Sequence, residues 1–243
     1  RPLAEPKRDA LPVNVTLTGG PPEEVAERAR EGLRAGYACF KVKVGLPGDV
    51  ERVAAVRESV GPWPALRVDA NRAWSVDEAV ANIRELEQYD LEFVEQPCRT
   101  LDELRQVRGR VSTPIAADES VGSPRAVRRV VETEACDVVN VKLASAGGFK
   151  PAREALRLAR AKGLGAFLSS TLDGPWGIAA ALQLAAAEDV QLACGLATLE
   201  LFDSPLARAL PAPVNGTLRV PSGPGLGVDE SALAEIVVDE LPA

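Results

Sequence analysis

The chain has 243 residues, 46% hydrophobic and 26% charged, which is typical of a globular protein with a buried core. Its net charge of −7 and pI near 4.9 argue against a nucleic-acid partner, because phosphate binding needs a basic surface. The longest apolar run is too short to span a bilayer and no signal peptide is evident, so we predict a cytoplasmic protein without a membrane partner. Four cysteines without a CxxC pair predict buried, reduced thiols.

Short strands and helices alternate along the chain. The predicted strands cover 13–17, 40–45, 65–70, 91–95, 114–118, 137–143, 165–169 and 191–195. The predicted helices cover 21–35, 49–60, 75–89, 100–110, 123–134, 147–162 and 174–187, and two of them begin with the capping-box patterns Ser75–Glu78 and Thr100–Glu103. This alternation predicts an α/β fold with a parallel sheet, and eight units of this length favour a closed barrel of the (β/α)₈ type. An open doubly wound sheet is the alternative, but no GxGxxG follows the first strand.

Five consecutive predicted strands each carry a charged residue at or near their C-terminal end. In order these are Lys43, Asp69, Glu95, Asp118 and Lys142, at intervals of 26, 26, 23 and 24 residues, or about one strand–helix unit each. In a barrel, the carboxyl ends of the strands face one mouth, where active sites lie. Each residue alone could be a helix cap or a surface charge. Their repetition at one-unit spacing favours a shared site.

The types of these residues indicate a chemistry. Three carboxylates brought together repel one another unless a cation lies between them, and an oxygen-only donor set suits Mg²⁺. Zinc is disfavoured because the chain has no histidine and no clustered cysteines. Lysines beside such a metal suggest that one of them removes the proton α to a substrate carboxylate, while the metal stabilises the resulting charge. Lys41 and Lys43 point to the same strand face, and crowding by another cation makes a lysine easier to deprotonate.

Five stretches of the chain, in their order and spacing, resemble the enolase superfamily. They are KVKVG, LRVDANRAWS, FVEQP, IAADES and VVNVKLASAGG. Within it they resemble the mandelate racemase/muconate lactonizing enzyme subgroup, over about residues 13–228. The resemblance implies a (β/α)₇β barrel of the TIM type in which Asp69, Glu95 and Asp118 bind Mg²⁺, with Mn²⁺ as a substitute. It implies Lys43 as general base and Lys142 on the opposite face. The resemblance also implies residues around the metal ligands or near the substrate: Lys41, Asn71, Glu119, Ser169, Ser170 and Asp173. Of these, Lys41 would tune Lys43 and help to hold the substrate carboxylate.

Several motifs resemble one family within this subgroup, the o-succinylbenzoate synthases of menaquinone biosynthesis. These motifs are ANRAW, EQPC, the pair Ser169–Ser170 and CGLATLELF. The resemblance implies a lyase that dehydrates a cyclohexadiene carboxylate, with Lys142 stabilising charge. Dipeptide epimerases carry Asp-x-Asp where this chain has ATL at 197–199. Two other stretches resemble cycloisomerases and N-acylamino acid racemases, which stay open as alternatives. They are PSGPGLGVD and TLDGP at 171–175, in which Asp173 stands in place of the usual Glu.

Members of this superfamily carry an N-terminal α+β capping domain ahead of the barrel. Here the first barrel strand begins near Val13, so we expect that the chain does not include this domain. We divide the chain into a linker or capping-domain remnant at 1–12, a catalytic barrel at 13–210 and a segment at 211–243 that packs on the barrel or the cap. The expected partner is a small carboxylate, and a homo-oligomer remains open. A catalytically inactive barrel kept for binding is the alternative from another class.

Overall fold

Seven parallel strands form the centre of the molecule in a computed structural model, which describes residues 5–229 and 231. The described residues form nine strands in all: β1 (Ala10–Pro12), β2 (Val15–Leu17), β3 (Cys39–Lys43), β4 (Ala65–Asp69), β5 (Leu91–Glu95), β6 (Ile115–Ala117), β7 (Val138–Val141), β8 (Gly165–Leu168) and β9 (Thr217–Arg219). Strands β2 to β8 pair in the order in which they occur along the chain. This consecutive parallel order is the topology that the alternating pattern predicts.

Cys194 and Gly195, which lie between β8 and β9 in the chain, connect the two edges of this sheet. The amide of Cys194 donates to the carbonyl of Pro12 at 2.8 Å, and its carbonyl accepts from the amide of Asn14 at 3.1 Å. The amide of Gly195 donates to the carbonyl of Leu168 at 2.8 Å. Because these bonds reach β8 on one side and the residues around β2 on the other, they close the sheet into a barrel.

The eighth predicted strand, 191–195, is less regular than expected. It contributes only isolated parallel bridges, Val13 with Cys194 and Ser169 with Gly195. A side chain at position 195 would place its Cβ 2.5 Å from Ser169 Oγ, so glycine is required for this close approach. The chain then turns into a 3₁₀ helix at Leu199–Leu201 instead of extending the strand.

Eight helices follow the strands in the described part of the chain. They are α1 (Pro22–Arg34), α2 (Asp49–Val60), α3 (Val76–Leu86), α4 (Leu101–Arg108), α5 (Pro124–Thr133), α6 (Leu143–Ala146), α7 (Phe149–Ala161) and α8 (Pro175–Ala187). The two predicted capping boxes are confirmed: the carboxylates of Glu78 and Glu103 accept from the cap amides of Ser75 and Thr100, each at 2.8 Å. The single turn α6 was not predicted, and it ends the predicted strand 137–143 early.

A two-stranded antiparallel ribbon joins the two ends of the described chain. Strand β1 pairs with β9, with Ala10 opposite Arg219. Strand β1 therefore lies inside the segment predicted as a linker, 1–12. Of the predicted terminal segments 1–12 and 211–243, residues 1–4, 230 and 232–243 lie outside the described residues.

The interior of the barrel is filled toward its N-terminal end by stacked aromatic rings. The centroids of Phe93 and Phe167 lie 5.4 Å apart.

All four cysteines are buried and free, as predicted, and burial raises the pKa of Cys39 and of Cys136 to about 12. Among the described residues, the helices are all too short or too polar to cross a bilayer.

Candidate active site

The charged ends of five neighbouring strands meet at one mouth of the barrel. Lys43, Asp69 and Glu95 are the last residues of β3, β4 and β5 and are register partners across the sheet. Asp118 and Lys142 follow β6 and β7 by one residue. Because the strands are parallel, all five carboxyl ends lie at the same edge. The structure therefore brings together the five residues that the spacing singles out.

Two lysines contact the acids on one side of this mouth. Lys41 Nζ lies 2.9 Å from Asp69 Oδ2 and 3.2 Å from Glu95 Oε2. Lys43 Nζ lies 2.7 Å from the same oxygen of Asp69. Lys41 and both acids are buried, whereas the side chain of Lys43 is 31% exposed. Lys43 is therefore the more accessible lysine of this pair.

The burial of these charges shifts their pKa values in different directions. Burial raises the pKa of Glu95 to about 7, with help from the charges of Asp69 and Asp118 and against the attraction of Lys41. Burial also opposes ionisation of Asp69, but the nearby lysines outweigh it and hold the pKa of Asp69 below its ordinary value. For Lys41, burial alone would lower the pKa, yet Glu95 and Asp69 hold it above its ordinary value. The crowding of two lysines is thus outweighed at Lys41 by its two carboxylate partners.

Lys142 stands on the opposite wall. Its Nζ lies 2.6 Å from Asp118 Oδ2, and its side chain is 21% exposed. In a ring of eight positions, β7 is four positions away from β3, so Lys142 and Lys43 lie on opposite sides of the mouth. Between them, Asn140 Nδ2 donates to Glu95 Oε1 at 2.8 Å and fixes the orientation of that buried carboxylate.

Asn71 links Lys43 to the loop that follows β6. Lys43 Nζ donates to Asn71 Oδ1 at 2.6 Å, and Asn71 Nδ2 donates to Glu119 Oε1 at 3.2 Å. The backbone amide of Asn71 also donates to Asp69 Oδ1 at 3.1 Å. Asn71 adopts a left-handed conformation, with φ of 44°, which turns the chain sharply after β4. These contacts direct the amine of Lys43.

One further group of residues around the mouth is polar and uncharged. A pocket of about 520 Å³ extends from Lys43, Asp69, Asp118 and Lys142 to a group that contains Asn14, Thr16, Ser169 and Ser170. Glu95 is fully buried and is not among the residues that line it. Within the described part of the chain, Asn14 Oδ1 and Ser169 Oγ are buried without a hydrogen-bond partner. The sequence interpretation missed Asn14 and Thr16. Their alternation in VNVTL, which puts both on one strand face, is the signal that could have found them.

Two residues expected near the site do not line this pocket. Asp173 instead orders its own loop, where its amide donates to Ser170 Oγ at 2.7 Å and its Oδ1 accepts from Thr171 Oγ1 at 2.7 Å. Glu119 contacts Asn71 behind Lys43. Neither of the two is among the residues around the pocket.

A known protein family matches most of the chain. Residues 24–232 match the family model described as enolase C-terminal domain-like. The chain belongs to the enolase superfamily. The carboxyl-end cluster therefore lies in the barrel domain of a superfamily member.

Relatives of this superfamily member are enzymes, and so is this chain. An o-succinylbenzoate synthase from Thermobifida fusca is 45% identical over 240 residues, which cover 96% of this chain and 73% of the relative. An N-succinyl Arg/Lys racemase from Bacillus cereus has a TM-score of 0.89 at 29% identity, covering 98% of this chain and 66% of that one. A dipeptide epimerase from Enterococcus faecalis, solved with Mg and the dipeptide L-Leu-L-Tyr, has a TM-score of 0.83 at 30% identity, covering 92% and 65%.

The donor set at the mouth of this enolase-superfamily barrel fits Mg²⁺ in its chemistry. Asp69, Glu95 and Asp118 are buried and offer oxygen ligands only, as Mg²⁺ prefers. Across residues 5–229 and 231, no group of three or more acid, cysteine or histidine side chains already stands at metal-holding distances. Lysine ammonium groups hold the carboxylate oxygens instead, and Lys41 and Lys43 share Asp69 Oδ2. Ligation of Mg²⁺ by Asp69 therefore requires these ammonium groups to give up that oxygen.

Proposed function

We propose that this enzyme is an o-succinylbenzoate synthase, which dehydrates a cyclohexadiene carboxylate. The observation that carries the proposal is the pair of lysines, Lys43 and Lys142, on opposite walls of a mouth at which three neighbouring strands end in or lead to a carboxylate. The 45% identity to the synthase from T. fusca supports the substrate class. The stretch ATL at 197–199 supports it as well, since it lacks the Asp-x-Asp pattern of dipeptide epimerases.

In this proposal Lys43 is the general base. Its neutral amine takes the proton from the carbon next to the substrate carboxylate. The C–O bond on the adjacent carbon then breaks, and the Lys43 ammonium returns the same proton to the departing hydroxide, so that water leaves. Asn71 Oδ1, 2.6 Å from Nζ, orients the amine for this transfer. A positioned base of this kind typically contributes about 10²–10⁴-fold to the rate.

Three acids would hold a metal ion beside this base. Asp69, Glu95 and Asp118 are the proposed ligands of Mg²⁺, which when bound stabilises negative charge developing on the substrate carboxylate. Lys41 balances the charge of the acids from inside the barrel, because its ammonium contacts both Asp69 and Glu95. Its buried position and two acid partners suit it to holding charge rather than to moving a proton.

Lys142 stabilises charge from the other wall. Asp118 holds its Nζ at 2.6 Å, so a positive charge faces the substrate on the side opposite Lys43. Such a preorganised charge favours a transition state in which the carboxylate becomes more negative. In a dehydratase this lysine need not move a proton.

An N-acylamino acid racemase is the second candidate. Lys142 contacts Asp118 much as Lys43 contacts Asp69, and two such lysines can exchange protons with opposite faces of one carbon. The likeness to the N-succinyl Arg/Lys racemase from B. cereus favours this candidate.

Turnover of the cyclohexadiene carboxylate with Mg²⁺ tests the proposal. We expect Lys43→Ala to lower kcat by about 10²–10⁴-fold, as the loss of a general base does. Lys162→Ala is the matched control, since Lys162 is exposed at the end of α7 and should leave kcat unchanged. Full activity of Lys43→Ala would show that another group takes the proton.

Deuterium oxide separates the two candidates. A dehydratase that returns its proton to the leaving hydroxide leaves the unreacted substrate unlabelled. A racemase introduces deuterium at the α-carbon of both enantiomers of an N-acylamino acid, and Lys43→Ala and Lys142→Ala would each block labelling of one enantiomer. Mass spectrometry of the recovered acids measures the label.

A further inference from the structure

Gln96, the residue directly after Glu95, is buried in an uncommon backbone conformation. Its side chain is 0% exposed and its φ is 41°, in the left-handed region that non-glycine residues rarely adopt. Such a conformation costs of order 1 kcal/mol or more and persists where the surrounding contacts fix it. The chain thus keeps a large polar residue at a position where glycine would be less strained.

The side-chain amide of Gln96 uses both of its polar atoms on the loop after β6. Its Oε1 accepts from the backbone amides of Asp118 at 2.9 Å and Ser120 at 3.4 Å. Its Nε2 donates to Ser120 Oγ at 2.8 Å and to the carbonyl of Cys98 at 2.9 Å. A planar amide is the group that offers an acceptor and a donor at once, so a carboxylate or an apolar side chain cannot make the same set of bonds.

The backbone of Gln96 makes two more connections. Its amide donates to the carbonyl of Ala116 in β6, and its carbonyl accepts from the amide of Arg72 after β4, both at 2.8 Å. One residue therefore ties together the three chain segments that follow β4, β5 and β6. Each of these segments adjoins one of the three acids of the mouth, Asp69, Glu95 or Asp118.

We propose that Gln96 is a positioning residue that sets the place of Asp118 relative to Glu95 and so determines the affinity of the mouth for a divalent cation. The proposal rests on the proposed Mg²⁺ site. Gln96 does not itself touch the cation: it holds the Asp118 backbone through Oε1, and it follows Glu95 directly in the chain. Groups that orient metal ligands in this way typically contribute about 10–100-fold to metal affinity.

A buried amide could instead serve stability alone, and Gln183 supplies the matched comparison. Gln183 lies in α8, away from the acids, and is also 0% exposed. Its Nε2 donates to the carbonyl of Gly225 at 3.1 Å. Replacement of either glutamine by methionine keeps the side-chain length but removes the amide. Both variants should unfold more easily, because each leaves buried polar groups without a partner.

Isothermal titration of the full chain with MgCl₂ separates the two roles. We expect Gln96→Met to weaken Mg²⁺ binding by about 10–100-fold, while Gln183→Met binds Mg²⁺ as the wild type does. If Gln96→Met does not fold, Ser120→Ala removes one partner of the amide and should weaken binding in the same direction by a smaller factor.

The outcomes distinguish this inference from the function on which it rests. If the wild type binds Mg²⁺ and Gln96→Met or Ser120→Ala binds it equally well, Gln96 does not position Asp118 for the cation and the inference fails alone. If the wild type itself binds no Mg²⁺, both the inference and the proposed metal site are overturned. Equal weakening in Gln183→Met would show a general loss of rigidity and would also overturn the inference.

Discussion

Arg67 places a permanent positive charge inside the barrel. Its side chain is fully buried, and its guanidinium stacks on the rings of Phe93 and Phe167, 4.6 and 5.0 Å from their centroids. Its Nε bonds to Glu92, and its Nη1 donates to the carbonyl of Ala193 at 2.8 Å. A charge in such a place is tolerated because it is paired and hydrogen-bonded. Arg67 therefore acts as a polar member of the core on the far side of the charged mouth.

We expect Arg67→Met to lower the free energy of unfolding by about 3 kcal/mol, the lower end of the cost of breaking a buried ion pair. The methionine fills most of the space, but the Ala193 carbonyl loses its donor. Glu92 is 30% exposed, so water can still solvate its carboxylate and limit the cost. Urea unfolding measures the change.

A surface arginine provides the control for this substitution. Arg110 pairs with Asp77 where both side chains are largely exposed, and such a pair contributes at most about 1 kcal/mol. Arg110→Met should therefore shift the urea midpoint only slightly. If Arg67→Met costs no more than Arg110→Met, the interior guanidinium does not stabilise the barrel.

At the scale of elements, helix α1 packs closely on strands β2 and β3 at Gly32. An alanine at this position would place its Cβ 2.9 Å from the ring of Phe40 and 3.0 Å from the side chain of Val15. Glycine inside a helix costs up to about 1 kcal/mol relative to alanine. The close packing of the helix on the sheet explains why the sequence has glycine there.

Gly32→Ala should therefore destabilise the protein by about 1–3 kcal/mol, the usual cost of overpacking. This sign is opposite to the one that helix propensity alone predicts. Gly109→Ala is the control, because at the end of α4 a Cβ would meet only backbone oxygens at 3.6 and 4.0 Å. Its stability should stay unchanged or rise slightly. Urea unfolding decides the sign, and a more stable Gly32→Ala would mean that α1 does not lie this close to β3.

Helices and strand ends were predictable where their signals are local. The capping boxes at Ser75 and Thr100 satisfy helix amides within three residues, so the pattern can be recognised without knowing the fold. The charged strand ends were predictable for a related reason. Their spacing of one strand–helix unit converts sequence distance into position at a common mouth, once the sheet is parallel.

Other features depend on partners that are remote in sequence. Strand β1 has three residues, one of them Pro12, and its partner β9 lies some two hundred positions away. The bridge through Gly195 depends on the close approach of Ser169, and the amide of Gln96 binds residues in a loop that follows another strand. Asn14 lies between β1 and β2. Its alternation with Thr16 indicates a shared face, but its place in the pocket depends on the closed barrel.

At the scale of the whole molecule, the two ends of the barrel have different roles. The carboxyl end carries three acids on consecutive strands β4, β5 and β6, whereas the interior toward the other end is filled by aromatic rings and Arg67. A cation shared by the three acids would connect three neighbouring strands of one closed sheet. Its binding should therefore stabilise the fold as a unit and not only the loops around the mouth.

We expect Mg²⁺ to raise the thermal unfolding midpoint of the full chain in a single transition. A ligand that binds only the native state adds about 2.7 kcal/mol when its free concentration is 100 times its Kd. For a chain of this size, that free energy corresponds to roughly 5–10 °C. Differential scanning calorimetry across a series of MgCl₂ concentrations, at constant ionic strength, measures the shift.

Two aspartate variants show whether the shift arises at the mouth. Asp118→Asn removes one charge from the donor set and frees Lys142, so Mg²⁺ should no longer raise the midpoint. Asp77→Asn changes an exposed acid on α3 and should respond as the wild type does. If Asp118→Asn still gains the full shift, Mg²⁺ binds elsewhere on the protein. If even the wild type shows no shift at millimolar Mg²⁺, the three acids do not form a metal site, and the lysines alone must neutralise them.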